Sequence, residues 1–250
     1  MIMGLLHHDV TLLNFDNAYP WQHKLSDAAD EWIDLADIAE ANLFCAERAL
    51  TEIGRRLSAR TGRGITFIGN GNYHYVTYLL LSEINRPFSL VLFDNHTDAK
   101  LSDGMSGLLS CGSWVAEAAA RLPHLQHVLI VGVSAERNLC LPDARGKIVL
   151  WPNAGEPQEL LSAIPTEDVY ISIDKDVLNR AFAVTNWDHG HMHLRELLAA
   201  LQALVRTKNV LGIDVCGELP VPPADVWRHA DQLRLNEQAN LAILQSVMCA

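Results

Sequence analysis

The 250-residue chain has no apolar run approaching the roughly 18 residues that cross a bilayer, so no membrane-embedded segment is expected. Basic residues are scarce: 19 Lys and Arg stand against 30 Asp and Glu, a net charge of −11 with His neutral. A surface of that sign repels phosphate, which argues against a nucleic-acid partner and is compatible with a small cationic one. Paired cysteine spacing is also missing. Cys45, Cys111, Cys140, Cys216 and Cys249 are an odd set without a framework pattern, so free thiols and a reducing cytoplasm are expected. The opening segment from Met1 to Asp9 lacks the basic start and apolar length of a secretion signal. Neither a repeat nor a Pro/Gly/Ser-rich linker interrupts the chain, so a single domain over residues 1–250 is expected.

What is present is enough apolar side chain, 49% of residues, to bury a sizeable core, which excludes disorder. Short apolar runs alternate with amphipathic stretches. Strands are expected at Val10–Asn14, Ile65–Ile68, Phe88–Phe93, Val128–Val133, Ile148–Trp151, Val169–Ile173 and Val210–Val215. Helices are expected at Leu35–Arg60 (closed by Gly62 and Gly64), Tyr75–Ile84, Ser113–Leu122, Glu159–Ile164, Leu194–Val205 and Gln232–Met248. Strands that read as unbroken apolar runs are buried on both faces, as in a parallel sheet covered by helices. The expected fold is an α/β three-layer sandwich with a central, mostly parallel sheet. Ligands in such folds sit beyond the carboxyl ends of the strands.

Those ends carry the chemistry. Phe88–Phe93 runs into Asp94-Asn95-His96-Thr97-Asp98, where a spacing of two puts Asp94, His96 and Asp98 on one side of an extended chain. Val169–Ile173 runs into Asp174-Lys175-Asp176, two carboxylates that raise each other's pKa unless a cation neutralises them. Ile65–Ile68 leads through Gly69-Asn70-Gly71-Asn72-Tyr73 to His74 at a helix start. Singly, each has an ordinary alternative: a helix cap at Asp94, a solvated turn at Asp174, a cap or core residue at His74. Together they offer four carboxylates and two imidazoles, too many for one catalytic Zn²⁺ and suited to two divalent ions with bridging carboxylates. A set dominated by oxygen with some imidazole suits manganese.

Gly71-Asn72-Tyr73-His74, Asp94-Asn95-His96-Thr97-Asp98 and Ser172-Ile173-Asp174-Lys175-Asp176 together resemble the arginase/agmatinase (ureohydrolase) superfamily over Ile65 to Glu218. The resemblance implies an arginase/deacetylase-like fold holding two Mn²⁺, and a metal-bridging hydroxide attacking a guanidinium or amidine carbon. By motif position, His74, Asp94, Asp98 and Asp174 are candidates for one ion, and Asp94, His96, Asp174 and Asp176 for the other. Asp98 is also a candidate to stabilise the developing ammonium. Asn72 is an expected substrate contact. Homo-oligomers are common in the family, and a monomer is equally compatible with this compact chain.

Three departures accompany the resemblance. Cys111 stands where family members carry a proton-shuttling His, and a thiol at a helix N-terminus is expected to have a depressed pKa. The family's Asp-x-x-Glu, whose Glu touches the guanidinium, reads Asp214-Val215-Cys216-Gly217-Glu218, so Glu218 arrives one residue late and needs a bulge at Gly217 to reach the site. The loop after Asp176 contains Trp187, Asp188, His189, His191 and His193. His189 is the candidate acid/base there, and Trp187 and Asp188 are candidate substrate contacts. No loop for binding an amino acid is recognisable, so arginine itself is disfavoured. The expected activity is hydrolysis of a C–N bond in a small guanidino, amidino or related amide compound. The rival readings are a single-Zn²⁺ deacetylase-like amidohydrolase and a metal-binding relative without catalysis.

Overall fold

The computed structural model describes residues 3–100, 108–133, 146–153 and 155–249; Cys140 lies outside them. The expected apolar runs form strands: β2 Val10–Asn14, β5 Ile65–Gly69, β6 Phe88–Phe93, β8 Leu125–Val131, β9 Ile148–Trp151, β10 Asp168–Asp174 and β11 Asn209–Cys216. Two short strands, β1 Gly4–Leu5 and β3 Glu31–Asp34, complete a sheet of order β3-β2-β5-β11-β10-β6-β8-β9, with β1 paired beside β11. Every pairing described in this sheet is parallel. All carboxyl ends therefore meet at one edge, as the connectivity of a helix-covered sheet requires.

The central strands bury both faces because helices cover both. One layer holds α1 His23–Asp27, α5 Pro157–Ser162, α6 Leu194–Thr207 and α7 Ala230–Met248. Leu160, Leu197, Leu201 and Ile243 pack there against Val91, Phe93, Ile171 and Ile173. The other layer holds α2 Glu47–Leu57, α3 Val76–Ser82 and α4 Trp114–Arg121. Ile53, Leu80 and Trp114 pack there against Leu90, Leu92 and Tyr170. Successive residues of β6 alternate between the two cores, the period-2 signature of a strand wanted on both sides.

The long helix expected over Leu35–Arg60 is not formed. Only Glu47–Leu57 is helical. Glu40 and Leu43 have φ of 59° and 66°, which breaks any helix, and Phe44–Ala46 is a strand, β4. Leu35 and Ile38 nevertheless pack against the same core as Ile53, so a turn mimics helical periodicity. β4 pairs antiparallel with β7 Leu108–Ser110, and this ribbon sets Cys111 at the sheet's carboxyl edge.

Candidate metal centre

The ends of β5, β6, β10 and β11 are neighbours in the sheet and deliver their following residues to one place. His74 closes the 3₁₀ turn Gly71–Tyr73 after β5. Gly71 is required there, since a Cβ would sit 2.8 Å from Asp174 Oδ2 and 3.0 Å from Trp187 Cδ1. Asp94 directly follows β6, Asp174 ends β10, and Asp176 lies in the 3₁₀ turn after it.

His74 Nδ1 faces Asp98 Oδ2 at 3.1 Å, Asp94 Oδ2 at 3.4 Å and Asp174 Oδ2 at 3.7 Å. Its other nitrogen, Nε2, lies 2.9 Å from Ser172 Oγ, which donates to Asp214 Oδ1 at 2.7 Å. A hydroxyl has one proton, and Asp214 takes it. Ser172 must therefore accept from Nε2–H, so in the neutral ring that a cation requires Nδ1 is the lone-pair nitrogen, and it is the one that faces three carboxylates. Ser172 and Asp214 are direct cross-strand partners, so sheet register builds this relay. His74 Nδ1 and Asp94 Oδ2 are buried without a hydrogen-bond partner. That arrangement is costly unless a cation satisfies it.

His96 repeats the pattern. Its Nδ1 lies 2.8 Å from Asp176 Oδ2 and 3.5 Å from Asp94 Oδ1, while Nε2 donates to Asp188 Oδ1 at 3.0 Å. Donor atoms thus form two sets that share Asp94, namely His74, Asp94 and Asp98, and Asp94, His96 and Asp176, with a third of His74, Asp174 and Cys216 beside the first. Asp174 adjoins the first set through His74.

The electrostatics show the same strain. Burial, with Asp94 beside it, pushes the Asp98 carboxyl up to about 6. Burial raises Asp174, with Asp94 adding to it, and raises Asp176 well above the usual carboxylate range, with Asp174 adding to it. Burial opposes ionisation of Asp94 too, but the adjoining His74 and His96 rings hold it at about 2. His96 is pushed up to about 10 by Asp176 and Asp94, against the burial that opposes its charge. Four carboxylates crowd around two rings, three of them buried, and divalent cations at the ring nitrogens would offset that negative charge.

The sets open into a cavity of about 360 Å³ lined by Gly71, His96, Thr97, Asp98, Lys100, Cys111, Gly112, Asp174, Asp176 and Trp187. Lys100, Thr97 and Gly112 were not singled out from sequence, although Thr97 and Lys100 flank Asp98 in the chain. Cys111 reaches the cavity, but its thiol is not depressed. It lies three residues before α4, and burial followed by the Asp98 carboxylate pushes it up to about 12. Trp187 forms a wall, edge-on to His96 at 5.6 Å between ring centres.

Four expected site residues do other work. Asn72 does not line the cavity. Its Oδ1 accepts from Trp187 Nε1 at 3.1 Å and Asn186 Nδ2 at 3.0 Å, and its Nδ2 donates to Asn42 Oδ1 at 2.7 Å. Asp188 is largely exposed and holds the outer nitrogen of His96. His189 uses both ring nitrogens within its loop: Nδ1 donates to the Leu178 carbonyl at 2.8 Å, and Nε2 accepts from Thr185 N–H at 3.2 Å. It is a neutral loop brace, with its pKa lowered by burial. His193, beyond it, caps α6.

Glu218 does not reach the cavity either. Gly217 does turn with φ +91°, but the turn sends Glu218 inward, where it is 1% exposed. Lys175 Nζ pairs with it, and Gln22 Nε2 (2.7 Å), Asn240 Nδ2 (2.7 Å) and Asn236 Nδ2 (3.2 Å) donate to its oxygens.

A helix-covered parallel sheet carries at its carboxyl edge donor sets that could hold metal ions, and comparison with known proteins gives the family. The model of the Arginase family matches residues 9–226. A protein from Thermotoga maritima, named only as uncharacterized, is 32% identical over 238 residues, 95% of this chain and 89% of that one. Agmatinase from Bacillus subtilis is 26% identical over 214 residues, 78% of this chain and 72% of its own. The crystal structure of a hypothetical agmatinase from Burkholderia thailandensis superposes with a TM-score of 0.67 at 22% identity, covering 96% of this chain and 85% of that one. The chain belongs to the arginase family, within the ureohydrolase superfamily, and has that family's hydrolase fold.

Proposed function

We propose that this protein is a binuclear metal hydrolase that cleaves a C–N bond of a small guanidino, amidino or related amide compound. The observation that carries this reading is the pair of imidazole Nδ1 atoms turned toward carboxylates that share Asp94. His74, Asp94, Asp98 and Asp174 would hold one cation, and Asp94, His96, Asp174 and Asp176 the other. The oxygen-rich donor set fits Mn²⁺ among first-row divalent ions. When bound, such a pair supplies Lewis acidity and lowers the pKa of water enough to provide hydroxide near neutral pH.

The chain's own residues do the rest. The Ser172–Asp214 relay and Asp188 fix the two rings so that Nδ1 of each points inward. Asp98, held by Trp114 Nε1 at 2.8 Å, presents a fixed carboxylate to a developing ammonium. Trp187 walls the cavity and excludes water from one side of the substrate. The cavity volume suits a small molecule. Glu218 is withdrawn, so recognition of the C–N group falls to Asp98 and its neighbours, and an amidinium or a neutral amide is as acceptable as a guanidinium. We place this activity in a single α/β domain over residues 1–250 and in the cytoplasm. The four described cysteines are free thiols, and among the described residues no helix is long and apolar enough to cross a membrane.

The test is metal content by elemental mass spectrometry after Mn²⁺ loading and desalting, joined to a screen of guanidino and amidino compounds for urea or ammonia release. Two ions per chain and turnover lost in Asp98→Ala and Asp176→Ala, with both variants folded, are expected. Activity retained in both variants at matched metal depletion refutes the reading. One Zn²⁺ per chain points instead to the deacetylase-like mechanism, and bound metal with no turnover to a non-catalytic relative.

A further inference from the structure

The end of β11 carries a sulfur atom that the reaction above does not use. Cys216 is fully buried, and its Sγ lies 3.2 Å from Asp174 Oδ2. That oxygen is 3.7 Å from His74 Nδ1, the buried nitrogen without a hydrogen-bond partner. One donor atom from each of His74, Asp174 and Cys216 lies within 4.8 Å of the other two. Ligand bonds of about 2.0–2.3 Å allow two donors on one ion to stand up to roughly 4.5 Å apart, so the 3.2 and 3.7 Å separations fit a shared cation.

The placement follows from the sheet. Cys216 is the direct parallel-strand partner of Asp174, so their side chains project to the same side. The next residue, Gly217, has φ +91°, and a Cβ there would meet Asp174 Oδ1 at 2.6 Å and Lys175 N at 2.8 Å. The bare glycine lets the end of β11 close on Asp174 and brings the thiol with it.

We propose that Cys216 is a sulfur donor to the cation held by His74 and Asp174, which makes that position prefer a softer divalent ion (Zn²⁺, Fe²⁺ or Co²⁺) while the His96 position keeps Mn²⁺. The proposal rests on the metal-centre reading and adds a ligand and a selectivity to it. On binding, a sulfur–metal bond forms, the S–H proton passes to solvent and no electrons are exchanged. Thiolate is the soft donor that shifts selectivity in this direction.

The probe is Co²⁺, loaded into the full chain and read by elemental analysis and near-ultraviolet absorption. Two Co²⁺ per chain with a sulfur-to-cobalt charge-transfer band are expected, the band lost in Cys216→Ser and kept in Cys111→Ser. Bound Co²⁺ without the band overturns the sulfur ligand and leaves the metal centre standing. A band that survives Cys216→Ser overturns it as well, and one lost in Cys111→Ser transfers the role to Cys111. No retained Co²⁺ overturns both readings. If Cys216→Ser does not fold, X-ray absorption of the Zn²⁺-loaded Cys111→Ser protein decides: a sulfur neighbour at about 2.3 Å supports the proposal, and nitrogen and oxygen neighbours alone refute it.

Discussion

Replacing Ser172 by alanine removes one oxygen and tests how the centre is organised. Ser172 Oγ accepts from His74 Nε2 at 2.9 Å and donates to Asp214 at 2.7 Å, and both serine and histidine are fully buried. Alanine leaves the Nε2–H against a methyl group in a site closed to solvent, His74 and Ser172 each being 0% exposed. An unsatisfied buried donor costs about 1–3 kcal/mol, which for a chain of this size lowers Tm by roughly 2–12 °C. The second effect is on the metal. Without an acceptor at Nε2 the ring is free to take the other tautomer, whose Nδ1–H would point at Asp94 and Asp98 and have no lone pair for a cation. Loss of a partner of this kind typically weakens metal binding 10–100-fold, about 1.4–2.7 kcal/mol. The assay is Mn²⁺ titration calorimetry paired with thermal melting of metal-free and loaded protein. Affinity within twofold of wild type, with a lowered Tm, would show that Ser172 merely packs, and the tautomer argument would fall.

Three further outcomes are expected. Glu218→Ala leaves Lys175 buried and unpaired and costs about 3–5 kcal/mol by denaturant unfolding, while the KM of the folded fraction stays near wild type; a large KM change with unchanged stability would restore Glu218 as a substrate anchor. Burial raises Asp214 from the ordinary 3.8 to about 6. The folded state therefore holds that proton more tightly, and its stabilising contribution is present below about pH 4 and lost as pH rises through about 6. It amounts to about 3 kcal/mol. Asp214→Asn should flatten the pH dependence of unfolding between pH 4 and 7 by that order, and an unchanged profile would contradict the assignment. Gly217→Ala forces a Cβ to within 2.6 Å of Asp174 Oδ1 at a φ of +91°, so it should cost at least about 1–2 kcal/mol and reduce metal retention by displacing Asp174; normal retention would show that the β11 end is free to shift.

Much of the fold is legible in the sequence because its strands are buried on both faces. Phe88–Phe93, fully buried and apolar except for Ser89, and the half-buried edge run Ile148–Trp151 stand out between proline and charged or polar neighbours, and the structure bounds both at the same residues. The short strands β1, β3, β4 and β7 have two to four residues, too few for a period to show. The donor residues were equally legible, because chemistry needs carboxylate and imidazole types at fixed offsets from strand ends: Asp94 and His96 after β6, Asp174 and Asp176 at the end of β10.

Which side chain meets which was decided only by the tertiary structure. Spacing along the chain reports a local period, whereas a partner across the sheet depends on strand order and register. Ser172 became the orienting group of His74 because register sets it opposite Asp214, and Cys216 came against Asp174 for the same reason. Glu218 and His189 have the right residue type and the right neighbourhood in sequence. One turned inward at Gly217 to meet Lys175, and the other spent both nitrogens on its own loop. The sequence by itself determined a parallel α/β sheet with acid and imidazole at its carboxyl edge. The folded chain alone selected which of those residues face the cavity, because that choice is made by packing between segments up to about two hundred residues apart, as between Gln22 and Glu218.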